Sequence, residues 1–307
     1  MEVDLQQCLR VAREAALAAG AIIKQNFGSG QLGIQQKSSH VDLVTETDKR
    51  CEEVIQSMLQ QHFPKHKFIG EESAAANGGQ VELTDAPTWM VDPLDGTTNF
   101  VHSYPFTCVS IGLSVKRQPV VGVVYNPMLG ELAAAAHGLG ATLNDQPMQV
   151  SSTQDLRAAL FATEVGTMRS PETVAAVFDR IQTLTANMRS VRCCGSCAIN
   201  LVGVACGRLD AFYEVGFGGC WDVAAGVCIL REAGGQVLDP AGGAWDVMSS
   251  LLLALNSHWD VMSRRVLASN AHLGPAVAQL LAGCKTSSEE PPAPAAAAAV
   301  AGSSQDS

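Results

Sequence analysis

The chain has 307 residues, of which 47% are hydrophobic and 16% charged, and its formal net charge is −10. This is ample apolar material for a large core and excludes a mainly disordered chain. The acidic balance leaves no basic stripe for a nucleic-acid backbone, and no apolar run has the length to span a bilayer.

Met1 to Phe27 begins acidic and mixed, unlike a secretory leader, so the expectation is a soluble cytoplasmic protein. Leu5, Cys8, Leu9, Ala12, Ala16, Ala19 and Ile23 recur at helical spacing and predict an amphipathic helix stopped by Gly28. The stretch from Gly28 to His40 reads as a mobile loop. Cys51, Val54, Ile55, Met58 and Leu59 share one face of a second helix ending near Pro64. Short strands are expected at Lys67–Gly70, Thr88–Asp92, Thr107–Val115 and Val120–Tyr125, and Asn126, Pro127 and Gly130 turn the chain into Glu131–Ala136. Helices near Pro171–Thr185, Ala198–Cys206 and Trp221–Ala233 then alternate with strands near Leu209–Glu214 and Leu251–Leu255. A last helical region is expected from about Trp259 to Ala282. Such alternation implies layered α/β packing over residues 1–284. From Lys285 to Ser307 the Pro/Ala/Ser bias cannot build a core and reads as a flexible tail.

The ten cysteines, Cys8, Cys51, Cys108, Cys193, Cys194, Cys197, Cys206, Cys220, Cys228 and Cys284, are scattered through apolar segments and read as buried reduced thiols. Cys194 and Cys197 have C-x-x-C spacing, but no second pair completes a zinc site and no thioredoxin-like context surrounds them. Packing is the reading.

The chemistry concentrates in Trp89 to Phe100, WMVDPLDGTTNF. An apolar strand delivers Asp92 to its end, where Pro93 blocks further sheet pairing. Asp95 follows, and Gly96 permits a sharp turn into Thr97, Thr98 and Asn99, whose amides stand where a helix starts. Carboxylates hold hard cations through oxygen, and helix-start amides receive an anion, so a phosphate ester with Mg²⁺ satisfies both. Gly70-Glu71-Glu72 adds two carboxylates after a short strand, and Trp221-Asp222 puts an acid at the start of an apolar helix. Singly, each has an ordinary explanation as a solvated loop charge, a turn or a helix-dipole partner.

Together and in this order they resemble the inositol monophosphatase family of Mg²⁺-dependent, lithium-sensitive phosphatases. The segments are Gly70-Glu71-Glu72, Asp92-Pro93-Leu94-Asp95-Gly96-Thr97-Thr98-Asn99 and Trp221-Asp222-Val223-Ala224-Ala225-Gly226, supported by Leu43-Val44-Thr45-Glu46-Thr47-Asp48 and Glu232-Ala233-Gly234-Gly235. The likeness runs from about residue 5 to 282. It implies an α/β fold of the α+β type, a layered αβαβα sandwich, and a homodimer. It also implies hydrolysis of an inositol monophosphate to the alcohol and inorganic phosphate.

By matching motifs, the resemblance assigns one Mg²⁺ to Glu71, Asp92 and the carbonyl of Leu94, and a second to Asp92, Asp95 and Asp222, with a third, weaker ion near Glu71. Glu71 and Thr97 would position the attacking water, with Asp48 orienting the threonine hydroxyl. Gly96 and Thr97 would meet the phosphate; Gly195, Ser196, Cys197 and Glu214 would line the alcohol side. Glu164 and Thr167 are secondary candidates there. Lys37, in the matching loop, reads equally as an anion guide or an ordinary exposed lysine. The segment from Val215 to Trp221 is one residue longer than expected of the vertebrate enzymes, and its extra glycine is expected to loosen Glu214 relative to Asp222. Cys197 replaces a common alanine and narrows the pocket. The alternatives are a relative acting on sugar phosphates, fructose bisphosphate or phosphoadenosine phosphate, and a catalytically silent interaction protein.

Overall fold

Asp4 accepts a hydrogen bond from the amide of Gln7 and so caps the first helix, α1 (Leu5–Asn26). Its stripe of Cys8, Val11, Ala12, Ala15, Ala16, Ala19 and Ile23 is fully buried, and the many alanines let α2 (Glu46–His62) approach closely. Helix α2 starts earlier than its apolar face does, because Thr45 and Asp48 form a reciprocal capping box. The computed structural model describes residues 3–29, 33–37, 41–79, 81–243, 245 and 264–291.

Against this helical pair lies a seven-stranded sheet whose strands follow chain order: β3 (Lys67–Gly70), β4 (Thr88–Asp95), β5 (Cys108–Val115), β6 (Gln118–Asn126), β7 (Glu131–Ala136), β8 (Gly140–Leu143) and β9 (Gln146–Pro147). Alternation divides β4 between two cores: Trp89 and Val91 pack with α1 and α2, whereas Met90 points to the other face. Proline does not end this strand. Pairing breaks after Asp92 and resumes at Asp95 opposite Cys108, so Pro93 and Leu94 form a bulge instead. A small ladder, β1 (Gln35–Gln36) with β2 (Leu43–Val44), replaces part of the expected mobile loop.

A second sheet has the order β11 (Ser190–Arg192), β10 (Leu160–Thr163), β12 (Ala211–Val215), β14 (Arg265–Ser269), β13 (Gln236–Leu238). Between the sheets run α6 (Cys197–Ala205) and α7 (Cys220–Glu232), and α5 (Pro171–Asn187) and α8 (Gly274–Ala282) cover the outer face. The order of layers is αβαβα. Two short helices, α3 (Glu71–Ala76) and α4 (Thr97–Val101), follow β3 and β4.

The helical region expected from Trp259 to Ala282 is corrected. Arg265–Ser269 is a strand, and helix begins only at Gly274. Val266 and Ala268 enter the central core while Leu267 enters the outer one, and a strand buried on both faces has no polar alternation to reveal it. Residues 259–263 and the expected strand Leu251–Leu255 lie outside the described residues.

Helix α7 packs against the first sheet where two glycines leave room for it. Gly112 and Gly122 are cross-strand partners; a Cβ at Gly122 would stand 2.2 Å from the carbonyl oxygen of Ala225, and one at Gly112 2.7 Å from the Ala224 Cβ.

The tail expected to be flexible from Lys285 is bonded to the body as far as Pro291. Arg180 of α5 grips Glu290 through two bonds of 2.6 Å, with side chains 7% and 4% exposed. The Ser287 and Thr173 hydroxyls are 2.8 Å apart, and Arg265 donates to the carbonyl of Pro291 at 3.1 Å. A buried charge stripped of its partner is costly, so Glu290→Ala should lower unfolding free energy by about 3–5 kcal/mol in urea titrations. Adding Arg180→Met should recover much of that loss; an unchanged midpoint in the single variant would show that the contact carries no stability.

Candidate active site

The bulge at the end of β4 aims two carboxylates into the space between the sheets. Asp92 is 3% and Asp95 8% exposed. One oxygen of Asp92, Oδ1, accepts from the amide of Leu94 at 2.9 Å. Three donors converge on Asp95 Oδ2: the Ser196 hydroxyl at 2.6 Å, the Ala198 amide at 2.8 Å and the Cys108 thiol at 3.8 Å. The next residue, Gly96, is left-handed at φ 87°, and a Cβ there would stand 2.7 Å from the carbonyl oxygen of Phe106. Thr97 then opens α4 with no side chain capping it. Its hydroxyl lies 3.2 Å from both Asp48 Oδ1 and the Leu94 carbonyl. Asp48 is anchored through its other oxygen, which accepts from the amide of Thr45 at 2.9 Å and from the Thr45 hydroxyl.

From the opposite layer, Asp222 enters on the first turn of α7, where its Oδ2 accepts from the Gly219 amide at 3.1 Å. Asp222 and Asp92 face each other closely enough that each acts on the other's titration. Burial, and then the charges of Glu71, Asp95 and Asp222, push Asp92 well above the ordinary carboxylate range. Burial raises Asp95 to about 6 against the bonds from Ser196 and Ala198. It raises Asp222 to about 7, with Asp95 adding to the effect, and Asp48 to about 6.

Glu71 and Glu72 begin α3, whose first amides are held by a carboxylate the sequence reading missed. Glu52 accepts from the amides of Glu72 and Ser73 at 2.8 Å each. Its signal was present: a charged residue one turn past Asp48, on the same side of α2 as the buried Cys51 and Ile55. Lys37 is not an ordinary exposed lysine. Its ammonium sits 2.8 Å from Glu71 and 2.7 Å from Glu72, and the side chain is 16% exposed. Burial alone would lower its pKa, but the two glutamates outweigh that and raise it. Glu72 is raised to about 7 by burial and then by the charge of Glu71.

Among the described residues, no three acidic, His or Cys side chains stand ready to enclose a metal ion as they are arranged. The donor set nevertheless fits a hard divalent cation. Glu71, Asp92, Asp95 and Asp222 supply only oxygen, and their charges repel one another. Lys37 offsets part of that repulsion at the Glu71 end.

The residues expected on the alcohol side come from β12 and from the turn that opens α6. Glu214, on β12, is 7% exposed, and its Oε2 has no hydrogen-bond partner. Burial, followed by the charges of Glu164, Asp222 and Asp95, raises its pKa well above the ordinary value. Cys197 is buried beside Glu214. Gly195 is left-handed at φ 79°, and Ser196 is 2% exposed with its hydroxyl engaged by Asp95. Thr167 lies exposed in the loop after Glu164. The longer segment before Asp222 is pinned, not loose: Arg264 donates to the carbonyls of Gly216, at 2.8 Å, and Phe217, and Phe217 is buried. Six cysteines are buried as expected, but Cys193 is exposed, and all ten are free thiols.

Residues 4–285 match the profile of the inositol monophosphatase family. The chain belongs to that family. It is 55% identical to inositol monophosphatase 3 of Solanum lycopersicum, over 83% of this chain and 94% of that one. Identity to human inositol monophosphatase 1 is 43%, over 82% and 90%. The fold is similar to that of an inositol monophosphatase from Anabaena, with a TM-score of 0.74 at 36% identity, covering 91% of this chain and 96% of the other. The family is one of phosphoric monoester hydrolases that depend on a metal, and its layered α/β architecture is the one described above.

Asp95 and Asp222 have folded-state pKa values above their ordinary 3.8, so a bound proton favours the folded chain. That stability is fully present below 3.8 and is lost as pH rises through about 6 and then about 7. A divalent cation replaces the missing positive charge. The gain in melting temperature that it gives to chelator-treated protein should therefore be larger at about pH 8 than at about pH 5. Scanning fluorimetry at both values decides this, and an equal or reversed gain would contradict it.

Proposed function

We propose that this chain hydrolyses inositol monophosphate to inositol and inorganic phosphate, using two Mg²⁺ ions and a weaker third. The observation that carries this reading is the meeting of Glu71, Asp92, Asp95 and Asp222 beside the Thr97–Asp48 pair, with Glu214 across from them. Glu71, Asp92, the Leu94 carbonyl, Asp95 and Asp222 would hold the cations, and Lys37 would give up Glu71 to them. Bound Mg²⁺ supplies the charge that acidifies water and stabilises the leaving oxygen.

The chain's own groups do the rest. Glu71 and the Thr97 hydroxyl orient a water in line with the ester bond. Asp48 Oδ1 fixes the hydroxyl of Thr97, because its other oxygen is already held by Thr45. Water displaces the alcohol at phosphorus directly, with no phosphoenzyme. Gly96 and Thr97 meet the phosphate oxygens. Glu214 accepts hydrogen bonds from the polyol, flanked by the segment Gly195-Ser196-Cys197; Ser196 shapes that wall through Asp95 and does not present its hydroxyl.

A bisphosphate substrate fits less well. The charged groups that act on Glu214 are Glu164, Asp222 and Asp95, all acids, and they would repel a second phosphate. The family resemblance further supports a cytoplasmic, lithium-sensitive homodimer.

Phosphate release from myo-inositol 1-phosphate should require Mg²⁺ and be inhibited by Li⁺, and should exceed release from fructose 1,6-bisphosphate and phosphoadenosine phosphate. A preference for either bisphosphate would overturn the substrate assignment, and no turnover of any would overturn the activity. Asp95→Asn should cost at least about two orders of magnitude in turnover. Glu214→Gln should raise KM for the inositol ester more than it lowers turnover of a simple phosphate ester. Equal losses on both esters would remove Glu214 from the ring contacts.

A further inference from the structure

The turn between β11 and α6 is gripped from two sides. Just past the end of β10, one oxygen of Glu164, Oε1, accepts from the amides of Cys194 and Gly195 at 2.9 Å each and from the Asn200 side-chain amide at 2.7 Å. From α4, the Asn99 amide nitrogen donates to the carbonyls of Cys194, at 2.8 Å, and Gly195, at 3.2 Å, while also reaching Phe106 at 2.7 Å. The peptide groups at 194 and 195 therefore have both their N–H and their C=O ends fixed. Gly195 allows this because its φ is 79° and a Cβ would stand only 2.8 Å from Asn99. Directly after this turn, Ser196 and Ala198 deliver the 2.6 and 2.8 Å bonds that orient Asp95.

We propose that Glu164 is a positioning residue for cation binding: it holds the turn that points Asp95, and it does not contact the substrate ring. Three donors on a single oxygen demand a charged acceptor, and the shortest of them, from Asn200, also ties the turn to the second turn of α6. Losing that acceptor frees the 194–195 peptides, so Ser196 no longer fixes Oδ2 of Asp95. The inference rests on the metal-dependent phosphatase reading above. Its consequence is distinctive: the defect must appear on every substrate, since it acts through Asp95, and it must appear in cation binding before any substrate is added.

The test is calorimetric titration of chelator-treated enzyme with Mg²⁺ alone, for wild type, Glu164→Gln and Glu164→Ala. Removing the partner that orients a metal ligand weakens metal affinity by roughly 10–100-fold. The Ala variant should reach that loss and the Gln variant, which keeps a carbonyl acceptor, should fall between it and wild type. Turnover of myo-inositol 1-phosphate and of a simple phosphate ester should fall by the same factor at fixed subsaturating Mg²⁺ and recover together as Mg²⁺ is raised. Should the Ala variant fail to fold, the Gln variant still gives both readouts. Unchanged Mg²⁺ affinity, or a loss confined to the inositol ester, would overturn the positioning role. Wild-type enzyme that neither binds Mg²⁺ nor releases phosphate would instead sink the phosphatase reading itself, so the two failures are distinguishable.

Discussion

Mutual repulsion among buried carboxylates is the constraint around which this chain is arranged. Asp92, Asp95 and Asp222 are each less than a tenth exposed; the charge of Glu71, from α3, raises all three, and Asp95 also raises Asp92 and Asp222. In a medium of low polarity such a cluster is unfavourable unless positive charge or donors reach it. Every neighbouring element answers that demand. The first turn of α6 donates to Asp95, the start of α7 donates to Asp222, and Lys37 sits on Glu71 and Glu72. The same repulsion that burdens the fold makes the cluster receptive to divalent cations.

Much of this was legible in the sequence because the motif residues lie at element boundaries with strong local grammar. Asp92 ends an apolar run, Gly96 breaks it, and Asp222 stands on the first turn of an apolar helix, so their types and places follow from propensity. The holding contacts were not legible. Glu164 and Asn200 are separated by 36 positions and Asn99 and Cys194 by 95, and nothing local in either sequence segment announces the partner. Lys37 was ambiguous for the same reason: its burial depends on glutamates 34 and 35 positions away. Strand β14 was hidden differently, since its two apolar faces erase the alternation by which a half-exposed strand is recognised.

The segment just beyond the family match supports the body of the protein. The family profile ends at residue 285, and Glu290 reaches back to Arg180. Arg180 in turn lies beside Tyr213, the residue before Glu214 on β12. Composition argued for a loose tail because it sums over the whole segment. The few charged and hydroxyl residues at its start, Ser287, Ser288, Glu289 and Glu290, find partners on α5 that composition does not weigh.

Gly112 and Gly122 set how near α7 can lie to the first sheet, and α7 carries Asp222 while the sheet carries Asp92 and Asp95. The span between the two halves of the acidic cluster is thus a spacing between layers, set by two missing side chains in the middle of the sheet and not by the acids themselves. A methyl group there would act like a shim between two plates, tilting or lifting the helix and opening the whole cluster at once. Redesign of ion preference in this scaffold accordingly has a handle deep in the core, where cavity size is set by the thickness of a packing layer and the ligands themselves stay unchanged.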